Sequence, residues 1–221
     1  MKIALYPLPI LALTVFLLIR AELRKDHRQI YIFKPISTLL LIMVAALSLW
    51  ETRMNMTYTT GVLVGLVLCL GGDIALMFQS NRKAFTLGLV LFLLAHLVYT
   101  STFTRLDSLH SNDWISALVL FILASSFYRW ILPGLGTMKI PVALYITVIS
   151  VMVNQALSTF SGSAFTSKQA GMIFIGALLF YISDIMLAVN RYGKPFKYQR
   201  ISLAFYYFGQ FLIALTASYF I

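Results

Sequence analysis

Eight long apolar segments recur along the chain, and they constrain its fold more than any other feature. Each is close to the roughly 20 residues that an α-helix needs to cross a bilayer. Charged residues make up 11% of the 221 residues, whereas a soluble domain carries roughly 25%. The sequence therefore predicts an all-α, polytopic membrane protein with a single transmembrane domain over residues 1–221. The predicted spans are 3–19, 31–50, 60–79, 84–104, 114–131, 140–158, 169–189 and 201–220.

Basic residues in the connections predict the orientation of these spans. The connections after the first, third, fifth and seventh spans hold thirteen Lys and Arg residues, and the opposite side holds four. Because cytoplasmic loops are enriched in Lys and Arg, we expect a bacterial inner-membrane protein with both termini outside the cytoplasm. The net charge of +10 is scattered over loops rather than gathered in a basic domain, so we expect no nucleic-acid partner.

Two of the seven acidic residues, Asp73 and Asp184, lie inside apolar segments, whereas the other five fall in short polar connections. A carboxylate at membrane depth costs at least ~2.5 kcal/mol, so an intramembrane Asp indicates a functional site. Asp73 stands six residues before Gln79, and Asp184 stands six before Asn190. Six residues of helix span roughly 9 Å, and both helices run toward the cytoplasm. The two acids should therefore lie at a similar depth, near the cytoplasmic end.

The two acidic segments are also similar to each other. Residues 72–76 and 183–187 share the pattern Asp-Ile-x-Leu at an offset of 111 residues, and His96 and Tyr207 keep the same offset. Two parallel repeats of four helices, with a site at their interface, would explain the pattern, as in some transporter folds. Chance similarity between apolar helices is the alternative.

Small residues form a stripe along the third span and end beside Asp73. The stripe consists of Gly61, Gly65, Cys69 and Gly72. Such stripes let helices pack closely, so Asp73 should face protein rather than lipid. A purely structural aspartate that accepts hydrogen bonds is the alternative.

Several other polar residues near this depth are candidates for substrate binding. Lys34 precedes Pro35 at the predicted start of the second span; it could hold a lipid phosphate or simply snorkel to the interface. Arg191 could hold a phosphate likewise. His96, the one histidine within a span, could instead be a satisfied core residue. The remaining candidates are Tyr145, Asn190, Tyr206, Tyr207 and Gln210.

No residue spacing indicates a metal site or a cofactor. His-x3-His and Cys-x2-Cys pairs are absent from the sequence, and tight metal sites normally show such ligands. A Gly-x-Ser-x-Gly motif and a phosphate-binding Gly-rich loop are absent as well. The two aspartates are therefore the strongest candidates for chemistry.

Taken in order, these residues resemble the YhhN-like family of membrane proteins, the lysoplasmalogenases. The resemblance extends over nearly the whole chain. It rests on Lys34-Pro35, Gly72-Asp73, Phe92 to Tyr99, Pro141-Val142, Tyr145, Gly176-Ala177, Ser183-Asp184, Tyr206-Tyr207 and Gln210.

The resemblance implies an eight-helix enzyme that hydrolyses the vinyl ether bond of lysoplasmalogens. Its products would be a fatty aldehyde and glycerophosphocholine or glycerophosphoethanolamine, and its partners would be the lysophospholipid substrate and the bilayer. Cleavage requires protonation of the vinyl ether β-carbon, followed by addition of water to an oxocarbenium ion. Asp73 and Asp184 suit this, because desolvation and repulsion between two buried carboxyls favour the protonated form of one of them. Tyr206, Tyr207 and Gln210 would orient water or the glycerol hydroxyl, and Lys34 would hold the phosphate.

Two other functions are compatible with intramembrane acids. A proton-coupled transporter would also use parallel repeats, although the helices lack paired Gly or Pro breaks at matching positions. A non-catalytic lipid-binding protein would explain an apolar cavity but not two matched acids.

Overall fold

The computed structural model describes residues 2–51, 54–78, 80–108, 110, 113–194 and 201–220, and these residues form helices and short connections without a β-strand. Eight α-helices lie within the described ranges. They are α1 (Leu8–Arg24), α2 (His27–Leu47), α3 (Met56–Met77), α4 (Arg82–Leu106), α5 (Asp113–Ile131), α6 (Lys139–Ser158), α7 (Ser167–Tyr192) and α8 (Ser202–Thr216).

The helices confirm the all-α membrane architecture. Seven of them, α1 to α7, are long and apolar enough to cross a membrane. The eighth, α8, has 15 residues and continues as a 3-10 helix over Ala217–Tyr219. At 1.5 Å and about 2 Å per residue these two pieces span about 28 Å, close to the thickness of a bilayer core.

The predicted start of the second span is wrong. Helix α2 begins at His27 rather than at residue 31, because the Asp26 side chain caps it by accepting a hydrogen bond from the Gln29 amide at 3.2 Å. Pro35 consequently lies inside the helix and not in its first turn. Three basic residues that entered the charge count, Arg53, Lys197 and Arg200, lie outside the described residues.

The small-residue stripe on α3 packs against α4. An added Cβ at Gly65 would lie 2.2 Å from the ring of Tyr99, and one at Gly72 would lie 2.7 Å from the ring of Phe92. The backbone of α3 therefore approaches aromatic side chains of α4 to a distance that no larger residue permits. This contact fixes the helix that carries Asp73 against the helix that carries His96.

The two halves of the chain pack in the same way. Helix α3 packs closely on α4, as α7 does on α8; α1 contacts α2 as α5 contacts α6, and α2 contacts α3 as α6 contacts α7. Across the halves, α4 packs on α6 and α8 packs on α2. The fourth helix of each half thus crosses to the second helix of the other half, which is the arrangement of two parallel repeats.

Candidate active site

Asp73 lies near the C-terminal end of α3 and is almost completely buried, with 2% of its surface exposed. Lys34 of α2 places its Nζ 3.6 Å from Asp73 Oδ1. Two hydroxyl groups donate hydrogen bonds to Oδ2, from Thr38 of α2 at 2.6 Å and from Tyr206 of α8 at 2.9 Å. An ammonium group and two hydroxyl donors form an environment that suits an ionised carboxylate.

Asp184 lies toward the C-terminal end of α7 and is partly buried. The hydroxyl of Tyr145, from α6, donates a hydrogen bond to its Oδ2 at 2.6 Å. His96 Nε2, from α4, is 3.8 Å from the same oxygen. The rings of His96 and Tyr145 pack edge to face with centroids 5.3 Å apart. Asp184 therefore has one strong hydroxyl donor and an imidazole just beyond hydrogen-bond distance.

Both acids line one cavity of about 220 Å³. It lies at the end of the bundle where α1 passes into α2, and its walls include Glu22, Lys25 and His27 from that connection. A water molecule occupies about 30 Å³ of liquid, so a polar cavity of this size has room for water. The two carboxyl groups thus line the same space, which has room for water.

A second, smaller cavity of about 50 Å³ adjoins the first and is almost entirely apolar. Side chains of α4, α6 and α7 form most of its wall. The two cavities have Leu76, Phe92, Asp184 and Leu187 in common. Asp184 therefore stands where a polar chamber meets an apolar one, a division that matches a molecule with a polar head and a hydrocarbon chain.

Lys34 is placed differently from the expected interfacial lysine. It lies in the second turn of α2, is 7% exposed and faces Asp73. Because α2 begins earlier than predicted, Lys34 is carried into the bundle, where its ammonium group lines the polar cavity. It is therefore available both to Asp73 and to an anionic group in that cavity.

The three candidates on α8 do not line the same cavity. Tyr206 lines the polar cavity. The hydroxyl of Tyr207 donates a hydrogen bond to the backbone carbonyl of Lys34 at 3.2 Å. Tyr207 is not among the described residues that line either cavity. Gln210 is completely buried and accepts a hydrogen bond from the Tyr99 hydroxyl at 2.8 Å, so it connects α8 to α4 rather than facing the cavity. Gln210 follows Tyr206 by one turn of α8 and therefore lies deeper in the bundle, beyond the polar cavity.

The remaining candidates lie at different distances from Asp184. Tyr145 contacts it directly. Arg191 lines the apolar cavity, with its guanidinium 4.4 Å from the ring of Phe85. Asn190 lies in the last turn of α7, outside the walls of both cavities. His96 is a candidate for substrate binding whose alternative is a satisfied core histidine; it is fully buried, but neither ring nitrogen has a hydrogen-bond partner among the described residues.

Sequence reasoning missed Thr38 and the cavity rim. Thr38 stands one turn after Lys34 on α2, so helical spacing from the lysine could have found it. Glu22, Lys25 and His27 fall between the first two predicted spans, and nothing in their spacing shows that this connection lies over the acids. No group of three His, Cys, Asp or Glu side chains within the described ranges is arranged to hold a metal.

A model of the YhhN family matches residues 29–217 of the chain. The uncharacterized membrane protein YhhN of Escherichia coli O6:H1 is 31% identical over 204 residues, which cover 91% of this chain and 93% of that protein. Lysoplasmalogenase TMEM86A of Bos taurus is 32% identical over 164 residues, or 72% of this chain and 65% of that protein.

A lysoplasmalogenase of Mycobacterium tuberculosis is 33% identical over 132 residues, which cover 58% of this chain and 48% of that protein. The chain thus matches less than two thirds of the length of the bovine and mycobacterial relatives. No solved structure matches the chain. The family model includes α2 to α8 and both acids, and the chain belongs to the YhhN family.

Proposed function

We propose that this protein is an integral-membrane hydrolase that cleaves the vinyl ether bond of lysoplasmalogens. The observation that carries the proposal is that Asp73 and Asp184 line the same polar cavity, and that Asp184 also lines the apolar cavity beside it. The relatives named lysoplasmalogenase support the choice of substrate. The products are a fatty aldehyde and a glycerophospho-alcohol.

The substrate fits the two chambers by polarity. The phosphate and glycerol lie in the polar cavity, where Lys34 and Lys25 provide positive charge. The alkenyl carbons nearest the ether enter the apolar cavity beside α4, α6 and α7; the volume of this cavity, about 50 Å³, is too small for a whole fatty chain. This orientation brings the vinyl ether, which joins head and chain, to the shared wall that contains Asp184.

The chemistry needs one acid and one carboxylate. A carboxylic acid protonates the β-carbon of the vinyl ether, and the π electrons form the new C–H bond and leave an oxocarbenium ion. A carboxylate accepts a proton from water as the water oxygen bonds to the α-carbon. The resulting hemiacetal then collapses to aldehyde and alcohol. Two carboxyl groups with separate roles do similar work in glycosidases, and general acid–base catalysis typically contributes 10²–10⁴-fold.

The protein is oriented with both termini outside the cytoplasm, so the polar cavity faces the inner leaflet of a bacterial inner membrane. The bias of thirteen to four basic residues supports this orientation. The substrate then reaches the site from the cytoplasmic side.

A direct assay tests the proposal. Purified protein in detergent is given lysoplasmalogen, and aldehyde release is measured against the 1-alkyl ether and 1-acyl lysophospholipids with the same head group. We expect aldehyde from the vinyl ether alone. Asp73→Asn and Asp184→Asn should each lower kcat/KM by at least about 10²-fold, whereas Glu51→Gln, at a half-buried acid paired with Lys2, should leave it unchanged.

Transport is the competing function, and the assay separates the two. A transporter would release no aldehyde in detergent. The helices that carry the acids, α3 and α7, run without a break past Asp73 and Asp184, whereas transport sites often use interrupted helices. Equal aldehyde release by both Asn variants and the wild type would contradict the two-acid mechanism.

A further inference from the structure

The two acids occupy equivalent positions of a duplicated framework, and their partners are equivalent as well. At the offset of 111 residues, Asp73 corresponds to Asp184, and Lys34 corresponds to Tyr145. In each half, the residue on the second helix contacts the acid on the third helix: Lys34 Nζ is 3.6 Å from Asp73, and the Tyr145 hydroxyl is 2.6 Å from Asp184. The two contacts thus join equivalent positions, but the partner of Asp73 is an ammonium group and the partner of Asp184 is a hydroxyl.

Further pairs at the same offset support this correspondence. His96 and Tyr207, each on the fourth helix of its half, both reach the second helix of the other half: His96 packs on the Tyr145 ring, and Tyr207 donates to the Lys34 carbonyl. Tyr99 and Gln210 are also equivalent, and they hydrogen-bond to each other at 2.8 Å. A contact between two equivalent positions is what a pseudo-two-fold axis between the halves produces.

From this broken symmetry we infer that Asp184 is the proton donor and Asp73 is the carboxylate that activates water. Asp73 has a lysine and two hydroxyl donors, which stabilise its anion. The one ion-pairing group within 4.0 Å of Asp184 in the described part of the chain is His96, whose ring nitrogens make no hydrogen bond there. A buried carboxyl without a fixed cation is more stable in its neutral, proton-donating form. The assignment rests on the proposed function.

The protons balance over one turnover. The Asp184 O–H bond breaks as its proton joins the β-carbon, and Asp73 takes one proton from the attacking water. When the hemiacetal collapses, Asp73 returns that proton to the leaving glycerol oxygen, and the hemiacetal hydroxyl returns one to Asp184. The net change is addition of one water, with both acids restored.

The groups around each acid determine which substitutions are informative. Lys34 and Thr38 face Asp73 from α2, and Tyr206 faces it from α8. Tyr207 lies behind Thr38, and Cys69 stands one turn before Asp73 on α3. Tyr145 faces Asp184 from α6 and His96 faces it from α4, while Arg191 shares a cavity wall with it. The two acids face one cavity and therefore each other's charge, and Glu22, Lys25 and His27 line the same cavity from the connection between α1 and α2.

The dependence of kcat/KM on pH tests the assignment. In the wild type we expect a bell, with the low-pH limb set by protonation of Asp73 and the high-pH limb by ionisation of Asp184. Lys34→Met removes the cation that stabilises the Asp73 anion, so the low-pH limb should move to higher pH while the high-pH limb stays. Movement of the high-pH limb instead would make Asp73 the donor and overturn the assignment.

Complementary variants complete the test. Tyr145→Phe removes a hydrogen bond to the Asp184 anion and should move only the high-pH limb, to higher pH; movement of the low-pH limb would contradict the inference. Lys34→Arg should return the low-pH limb toward the wild type, which a folding defect would not do. Lys83→Met, at an exposed lysine of α4, should leave both limbs in place. Wild-type protein without turnover would instead refute the proposed function itself.

Discussion

Tyr206 reaches Asp73 from a helix 133 residues away in the chain, and its hydroxyl shares Oδ2 with that of Thr38. We expect Tyr206→Phe to lower kcat by about 10-fold or more, because a hydrogen bond to a charged group is lost. Steady-state kinetics would measure this, and Tyr128→Phe, whose hydroxyl bonds the Lys139 carbonyl instead, is the matched control. Unchanged kcat in Tyr206→Phe would remove Tyr206 from the mechanism.

For Gln210, unlike Tyr206, we expect a substitution to change stability rather than kcat. Its amide bonds Tyr99 on one side and Cys69 on the other, inside the core. Gln210→Leu should lower the free energy of unfolding by about 0.6–2 kcal/mol, the range of hydrogen bonds between membrane helices, and leave kcat per folded molecule near the wild-type value. Unfolding in detergent and active-site-normalised kinetics measure the two effects. A kcat loss as large as that of the Asp variants, with stability retained, would contradict a structural role.

The site was predictable from the sequence to different degrees. Asp73 and Asp184 stand out because a carboxylate in an apolar run has few explanations. The separation of Tyr206 from Tyr207 and Gln210 was not predictable. Gln210 lies on the same face of α8 as Tyr206 but one turn farther along the helix, and Tyr207 lies on a neighbouring face. One sequence reports neither how deep the cavity extends nor which face of α8 lines it. The distance between Lys34 and Asp73 depends on where α2 begins, and a cap at Asp26 decided that.

At the scale of elements, close packing of α3 on α4 positions the helix that carries Asp73. We expect Gly65→Ala to destabilise the protein by about 1–3 kcal/mol, because the new methyl group would lie 2.2 Å from the ring of the buried Tyr99. Thermal or denaturant unfolding in detergent measures the change.

Gly171→Ala is the control for that substitution. Its added Cβ would meet only the Phe160 ring, at 3.9 Å, an ordinary contact. Because alanine is a better helix former than glycine, this variant should be neutral or slightly more stable. Equal destabilisation by both substitutions would show that the α3–α4 contact is not close packed.

The elements themselves were predicted well, because their apolar runs have the length of a bilayer. All eight exist, and the errors lie at their ends: α1 continues to Arg24 and α2 starts at His27, within segments that were assigned to a polar connection. Polar residues extend helices beyond the hydrocarbon region wherever a cap is available, so hydropathy alone underestimates helix length there.

At the scale of the whole molecule, the orientation can be measured directly. With the native Cys69 replaced by Ser, Ser108→Cys in the connection after α4 should react with a membrane-impermeant maleimide on intact spheroplasts. Ser80→Cys, in the connection after α3, should react only after the membrane is permeabilised. Both serines are exposed in the structure. Labelling of residue 80 in intact spheroplasts would show that the orientation is the reverse of the proposed one and that the acids lie near the outer leaflet.

Four helices in each half have a consequence for biogenesis. A segment that crosses the membrane an even number of times returns its end to the side where it began, so a second copy translated behind it inserts in the same direction. Both halves can therefore be oriented by the same signal, an excess of Lys and Arg in the cytoplasmic connections. Substitutions that inverted the charge bias of one half alone would favour opposite orientations for the two halves. Asp73 and Asp184 would then lie near opposite leaflets.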